Sequence, residues 1–276
     1  MRPLLLLAIL TAFSPQKPPG PTVVHRKGLT NKMVEDRLDK YWQRAQQEVY
    51  KSPEELQAQA KRDARRGNYL PVLIRGDHSK KWLALTFDDG PHPIYTLKLL
   101  DILKREKIPA TFFVVGFMAE QYPQLIAAEA AGGHLIGNHT FSHVMLTHLP
   151  PREVQTEYRA CNDLIEKLIG KRPAFCRPPG GDYDRDVILG AEANGLTTVL
   201  WTDDPGDYAQ PGTHVIEQDT LKNLSNGGII LLHDGVQQTL DVLPQIIEYA
   251  KKKGYTFVTV DAMSKELLQA RTGLGR

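Results

Sequence analysis

The chain has 276 residues, 41% of them hydrophobic and 24% charged, and 34 basic against 32 acidic side chains leave a formal net charge of +2. That balance suits one folded domain of ordinary size with some additional sequence. It excludes a global positive field that would recruit nucleic acid, so a neutral or weakly charged partner fits better.

The chain starts "MRPLLLLAILTAFSPQ", one Arg followed by an apolar run from Leu4 to Phe13 that is too short to span a bilayer as a helix. It resembles the first two regions of a secretory signal, with Ala12 and Ser14 in a small-x-small pattern, although Pro15 suits a signal peptidase poorly. The expectation is an exported protein (secreted, periplasmic or envelope-associated) with a signal-like or anchor segment at 1–14; an apolar N-terminal element of a cytoplasmic protein is the alternative. No other stretch is long enough for a transmembrane helix.

Residues 15–78 read as a linker and helical extension. "SPQKPPGPTVVHRKG" is rich in Pro and Gly and should be extended. "TNKMVEDRLDKYWQRAQQEVY" spaces Met33, Leu38, Trp42 and Val49 loosely as a helix does. In "SPEELQAQAKRDARR", Ser52 reads as an N-cap, Pro53 as the first helical residue and Glu55 as the return partner of a capping box. The two charged helices are expected to serve as solvated packing or spacing against the main domain, with a cell-wall or membrane-surface role for the Arg-rich end as the lesser reading.

From Lys81 onward short apolar strands alternate with helical segments, the pattern of parallel β/α units. The expected strands are "WLALTF", "ATFFVV", "HLIG", "AFCR", "TTVLW", "GIILLH" and "YTFVTV". Between them, segments such as "YTLKLLDILKRE" and "PREVQTEYRACNDLIEKLIG" carry apolar residues three and four apart, and several end in Gly, as a helix C-cap does. The pattern fits an incomplete or distorted barrel, or an open doubly wound sheet. A catalytic domain is expected over 79–265 and a tail over 266–276. Cys161 and Cys176 show no metal-type spacing and read as buried thiols, or as one bridge in an exported chain.

In either architecture, polar residues directly after strand ends collect at one end of the sheet. Asp88 and Asp89 follow the first strand, His139 and His143 the third, Arg177 the fourth, Asp203, Asp204 and Asp207 the fifth, and His233 and Asp234 the sixth. "NHTFSH" spaces two imidazoles four apart, which on one helical turn puts both on one face, and Asp89 would complete a two-His, one-carboxylate cation site with open positions. Its neighbour Asp88 is then free to take a proton from water. Gly90 and Pro91 fit a tight turn, and His92 reads as a turn residue rather than a site residue. Arg177, set before two prolines, can hold a carboxylate bidentately. Gly180 and Gly181 let backbone N–H groups approach a ligand, and His233, tuned by a carboxylate for which Asp207 is a candidate, is the natural general acid.

"TFDDGPH", "HTFSH", "RPPGG", "WTDDPGDY" and "LLHD", in this order, resemble the five motifs of the polysaccharide deacetylase family of carbohydrate esterases, over roughly residues 80–262. The resemblance implies a distorted (β/α)7 barrel, here with an N-terminal helical extension. The implied activity is removal of N-acetyl groups from N-acetylglucosamine units of peptidoglycan, chitin-like or exopolysaccharide substrates, or of O-acetyl groups from xylan. By position it makes Asp88 the base and Asp89, His139 and His143 the ligands of a divalent metal, commonly zinc, with cobalt and other divalent ions as alternatives. Arg177 orients the base, Asp207 tunes the acid His233, Leu231 encloses the acetyl methyl group, and the Gly180 N–H assists at the oxyanion. Two departures bear on substrate: many members have Tyr at the position of Gly180 and Trp at that of Tyr208, which here keeps an aromatic ring for a sugar to stack on. A non-haem iron oxygenase shares the ligand set but is expected on an all-β scaffold. A catalytically silent glycan-binding module needs neither base nor acid. The implied partner is the glycan, with neither nucleic acid nor a protein partner.

Overall fold

The structure, a computed structural model, describes residues 31–45, 47–67 and 71–265. The signal-like segment, the Pro-rich linker and the tail expected at 266–276 lie outside the described residues. No helix among the described residues is long and apolar enough to cross a membrane.

The extension forms α1 (Asn31–Ala45) and α2 (Pro53–Arg65). The capping box is present: Ser52 Oγ accepts from Glu55 N, and Glu55 Oε2 accepts from Ser52 N. These helices pack against the main domain through buried apolar residues and not through a solvated face alone. Leu38 and Tyr41 of α1 form an apolar cluster with Val115, Phe117, Met118, Tyr122 and Leu125, while Leu56 of α2 joins a main core. Val49, assigned to the helical stripe from its spacing, falls beyond the end of α1 and is 84% exposed. Met33's side chain lies outside the described residues.

The strands are β1 (Val72–Leu73), β2 (Trp82–Asp88), β3 (Thr111–Val114), β4 (Leu135–Asn138), β5 (Phe175–Cys176), β6 (Thr197–Val199), β7 (Gly228–His233) and β8 (Thr256–Phe257). All seven expected strands form, and β1 precedes the first of them; two residues are too few to leave a periodic signal. The sheet runs β1-β6-β5-β4-β3-β2-β7, with β8 beside the start of β2, and every pairing is parallel. Beyond β6 the chain bridges to β7 through Asp203 and Ile230, and Leu231 N donates to Asp203 O. The result is the half-barrel with surrounding helices of a distorted (β/α)7 fold.

The surrounding helices are α3 (Thr96–Glu106), α4 (Gly116–Gln121), α5 (Pro123–Ala131), α6 (Pro151–Ile169), α7 (Arg185–Ala193), α8 (Thr213–Asn223) and α9 (Gln237–Lys252). Gly170 caps α6 in the left-handed conformation, as expected, whereas Lys107 takes that role after α3.

Strand alternation divides the interior. Leu83, Leu85, Phe87, Ile230 and Leu232 join Leu99 and Leu103 of α3 and Leu243 and Ile247 of α9 in one core. Ala84, Ile229 and Leu231 join Phe113, Tyr158 and Trp201 in the other. By the same period of two, Thr86, Asp88 and His233 belong to this second face. Both strands end there, so their last side chains emerge at one end of a dry core. Cys161 and Cys176 are buried free thiols, which removes the disulfide alternative.

Candidate active site

Asp88 ends β2 and is fully buried. Its Oδ1 accepts from Arg177 Nη1 at 2.7 Å, and the same nitrogen donates to Thr86 Oγ1 at 2.8 Å. Arg177 therefore grips Asp88 through one nitrogen, not bidentately. Its Nε and Nη2 turn instead to the carbonyls of Val199 and Leu200, and its guanidinium lies 4.3 Å from the Phe113 ring centroid. A charge with no solvent exposure is tolerated because its donors are shared between a carboxylate and carbonyl oxygens. Asp88 Oδ2 is left buried without a hydrogen-bond partner.

His139 and His143 meet, but not on a helical turn. They lie on a loop after β4 in which Thr140 and His143 have φ of 65° and 53°. Asn138 Oδ1 accepts from Thr140 N, Thr140 Oγ1 accepts from His143 N, and Glu157 Oε2 accepts from both Phe141 N and Ser142 N. Side chains satisfying the local N–H groups replace the helical bonds that a four-residue spacing suggested. Asp89 too has positive φ, 72°. Three non-glycine residues in this sparsely populated region, all around one cluster, are the local strain that functional sites hold.

The three ligand atoms lie close together. Asp89 Oδ1 is 3.0 Å from His143 Nε2 and 3.5 Å from His139 Nε2, and the two imidazole Nε2 atoms are 3.2 Å apart. A tetrahedral site with bonds of roughly 2.0–2.1 Å has edges of about 3.3 Å, so the set fits a divalent cation without rearrangement. His139 Nδ1 is 2.7 Å from the Arg177 carbonyl, which fixes Nε2 as the free ligand atom. Burial alone would lower the pKa of His143; the carboxylates of Asp89 and Glu48 overcome it and hold it at about 9. Burial would likewise raise Asp89, but the two histidines hold it well below the usual carboxylate range.

His233 ends β7. Its Nδ1 is 2.6 Å from Asp207 Oδ1, while Asp207 Oδ2 accepts from His233 N and from Thr239 Oγ1. Burial pulls the imidazole pKa down, Asp207 more than reverses this, and the result is about 10. The ring is thus held protonated at neutral pH, with Nε2 buried and unpartnered. Leu231 is fully buried on the same strand, and Tyr208 lies 5.3 Å from the His233 ring.

Gly180 is buried at φ +62°, in a short 3-10 turn with Gly181. A side chain on Gly181 would meet Trp201 at 2.4 Å, so that glycine is required by packing. His92 is a turn residue, its Nδ1 accepting from Ile94 N and Tyr95 N. Asp204 Oδ1 accepts from Gly206 N and caps a turn, and Asp234 accepts from Thr96 Oγ1; neither joins the cation cluster.

Sequence reasoning missed Thr86, Thr239, Tyr41, Glu48 and Tyr50. Thr86, the first residue of the "TFDDGPH" motif, accepts from the Arg177 nitrogen that also holds Asp88, and Thr239, which lies in no motif, donates to Asp207. Tyr41 donates to the Asp89 carbonyl at 2.8 Å, Glu48 Oε2 is 3.4 Å from His143 Nε2, and Tyr50 packs 4.9 Å from the His233 ring. All three come from the extension, where nothing in the sequence marked them.

The sequence model described as polysaccharide deacetylase matches residues 75–199. A peptidoglycan-N-acetylglucosamine deacetylase of Bacillus cereus is 39% identical over 191 residues, spanning 67% of this chain and 89% of that one. The chain belongs to the polysaccharide deacetylase family. A chitooligosaccharide deacetylase of Sinorhizobium fredii is 37% identical over 169 residues, 61% of this chain and 79% of that one. The crystal structure of the Bc1960 peptidoglycan N-acetylglucosamine deacetylase superposes with a TM-score of 0.69 at 34% identity, covering 70% of this chain and 92% of that one. This polysaccharide deacetylase is accordingly a hydrolase with the expected fold, and the non-haem oxygenase reading falls away.

Proposed function

We propose that the protein removes N-acetyl groups from N-acetylglucosamine units of a cell-wall or chitin-like glycan, with a divalent cation, zinc by preference, held by Asp89, His139 and His143. The observation that carries this reading is the pair of orphaned atoms beside that triad, Asp88 Oδ2 and His233 Nε2. An unpartnered carboxylate oxygen and an imidazole nitrogen that carries a proton, both buried, are what amide hydrolysis requires and glycan binding does not. The named relatives, which act on peptidoglycan and on chitooligosaccharide, support the substrate class. The signal-like N-terminus supports an exported enzyme that meets its polymer outside the cytoplasm.

When bound, a divalent cation supplies Lewis-acid polarisation of the acetyl carbonyl and a lowered pKa for water. Asp88 takes the proton of the attacking water at Oδ2, while Arg177, itself braced by Thr86, fixes its orientation. The Gly180 N–H, presented by a left-handed turn, donates to the developing oxyanion. His233 passes the proton on Nε2 to the departing nitrogen, and Asp207 stabilises the imidazolium until it does. Acetate and a free amine result. Leu231 shapes the apolar end that takes the methyl group, and Tyr208 offers a ring face to the sugar.

The test is acetate release from N-acetylglucosamine oligomers and from peptidoglycan, with chelated protein and with zinc restored. Release that returns with the metal supports the proposal and ranks the polymers. Stoichiometric zinc with no release from either would move the activity to another acyl substrate, acetylated xylan first. Glycan binding without metal or release would favour the silent module.

A further inference from the structure

The segment between α1 and α2 lies on the catalytic residues themselves. Glu48 Oε2 stands 3.4 Å from His143 Nε2, within the range separating the three ligand atoms from one another. Its side chain is only 11% exposed, and its Oε1 is buried with no hydrogen-bond partner. The carboxylate stands at the edge of the two-His, one-carboxylate set, beside His143 but outside the mutual spacing that joins all three ligand atoms, and would complete a fourth position by turning toward the cation. Two residues on, the Tyr50 ring lies 4.4 Å from Tyr208 and 4.9 Å from His233. It fills the place where a sugar ring would stack and where a leaving amine must meet the acid.

Gly180 makes room for this. A side chain there would meet the Val49 carbonyl at 3.0 Å and Glu48 Oε1 at 3.2 Å. The segment is pinned at both sides: Lys51 N donates to the Gly180 carbonyl and Lys51 Nζ pairs with Asp182, while Tyr41 bonds the Asp89 carbonyl and Trp42 lies 4.5 Å from His92. Between the pins, residues 48–50 lie in neither helix nor strand; Val49 is exposed, and the contact that lifting them must break is the buried Tyr50 ring against Trp201, Tyr208 and His233. An open cavity of about 300 Å³ lined by Tyr41, Arg44, Glu48, Val49, His143 and Met145 lies directly alongside.

We propose that residues 47–51 form an autoinhibitory strap in which Glu48 is a fourth ligand of the cation held by Asp89, His139 and His143, so that glycan must displace the strap to reach Asp88 and His233. This rests on the deacetylase reading above. It also gives the extension a task beyond spacing: the resting enzyme holds its cation closed, and water and the acetyl group gain their positions only when Glu48 leaves.

The experiment uses the full chain with Glu48→Gln and Glu48→Ala, near-isosteric and truncating changes in a loop, with melting curves to confirm folding. Zinc affinity is measured by competition with a chromogenic chelator, and the coordination change is followed in the visible spectrum of the cobalt-loaded protein. The expected result is zinc binding weakened tenfold or more, an altered cobalt spectrum, and a higher kcat/KM for acetate release at saturating zinc. Zinc affinity that is unchanged or tighter would overturn the ligand role, because a Glu48 that merely paired with a protonated His143 competes with the metal. Weakened zinc binding together with a lower kcat/KM at saturating zinc would overturn the strap as an inhibitor. If no form releases acetate, the deacetylase reading fails, and the zinc measurements still decide the role of Glu48.

Discussion

Asp88 and His233 stand directly opposite each other in the parallel register of β2 and β7, each the last residue of its strand, and Asp234 N donates to the Asp88 carbonyl at 2.9 Å. The proposed base and acid are thus placed by one strand pair whose six register positions are all buried or nearly so. Their separation is set by backbone geometry and not by loops, which is how a scaffold holds reacting groups to the tolerance catalysis needs.

Asp88→Asn should keep the cation and lose turnover, by a factor of about 10²–10⁴ for a general base. His139→Ala should lose both. Zinc content and kcat measured on the same preparations separate the two, and an Asp88→Asn enzyme at near-full rate would remove Asp88 from its role.

Asp207→Asn should move the basic limb of the rate–pH profile to lower pH. Asp207 is what overcomes burial to hold His233 protonated up to about 10, so without its charge the acid loses its proton earlier. In the metal-free protein the same shift is linked to stability. The folded pKa lies above the unfolded value of roughly 6.5, so the contribution is fully present below pH ~6.5 and is lost as pH rises toward 10. Melting temperature against pH, compared between wild type and Asp207→Asn, checks the sign.

Arg177→Met should destabilise the fold by about 3–5 kcal/mol, because it leaves the fully buried Asp88 carboxylate without its ion-pair partner. The double change with Asp88→Asn should recover part of that loss, which urea denaturation of both variants would show.

Gly181→Ala should cost about 2–4 kcal/mol and lower Tm by roughly 5–15 °C. The new methyl group would stand 2.4 Å from the Trp201 ring at a φ of +66°. A variant that melts with the wild type would show that Trp201 can move aside.

Much of the site was legible because a parallel β/α chain gathers whatever follows its strands at one end of the sheet, and the motifs after these strands carry ionisable residues where loops need none. The strands themselves were readable as short, near-continuous apolar runs, since both of their faces are covered. The details within loops were not. His139 and His143 were expected on a helical turn, and the structure reaches the same proximity through positive φ angles stabilised by Asn138, Thr140 and Glu157. Spacing constrains how far apart two side chains can be, not which of several backbone paths joins them.

The sequence by itself determined the β/α alternation and the end of the sheet at which the candidate base, acid and cation ligands lie, since each follows from local pattern and residue type, whereas the distorted barrel came from the family resemblance. Only the tertiary structure decided which groups serve those residues from afar. Thr239 steadies Asp207, Thr86 braces Arg177, Arg177 spends its donors on carbonyls as well as on Asp88, and Glu48 and Tyr50 reach the site from a helical extension with no motif. These contacts join segments as many as 183 positions apart in the chain, as between Tyr50 and His233. They depend on which surfaces meet when the apolar faces are buried, and no local periodicity encodes that meeting.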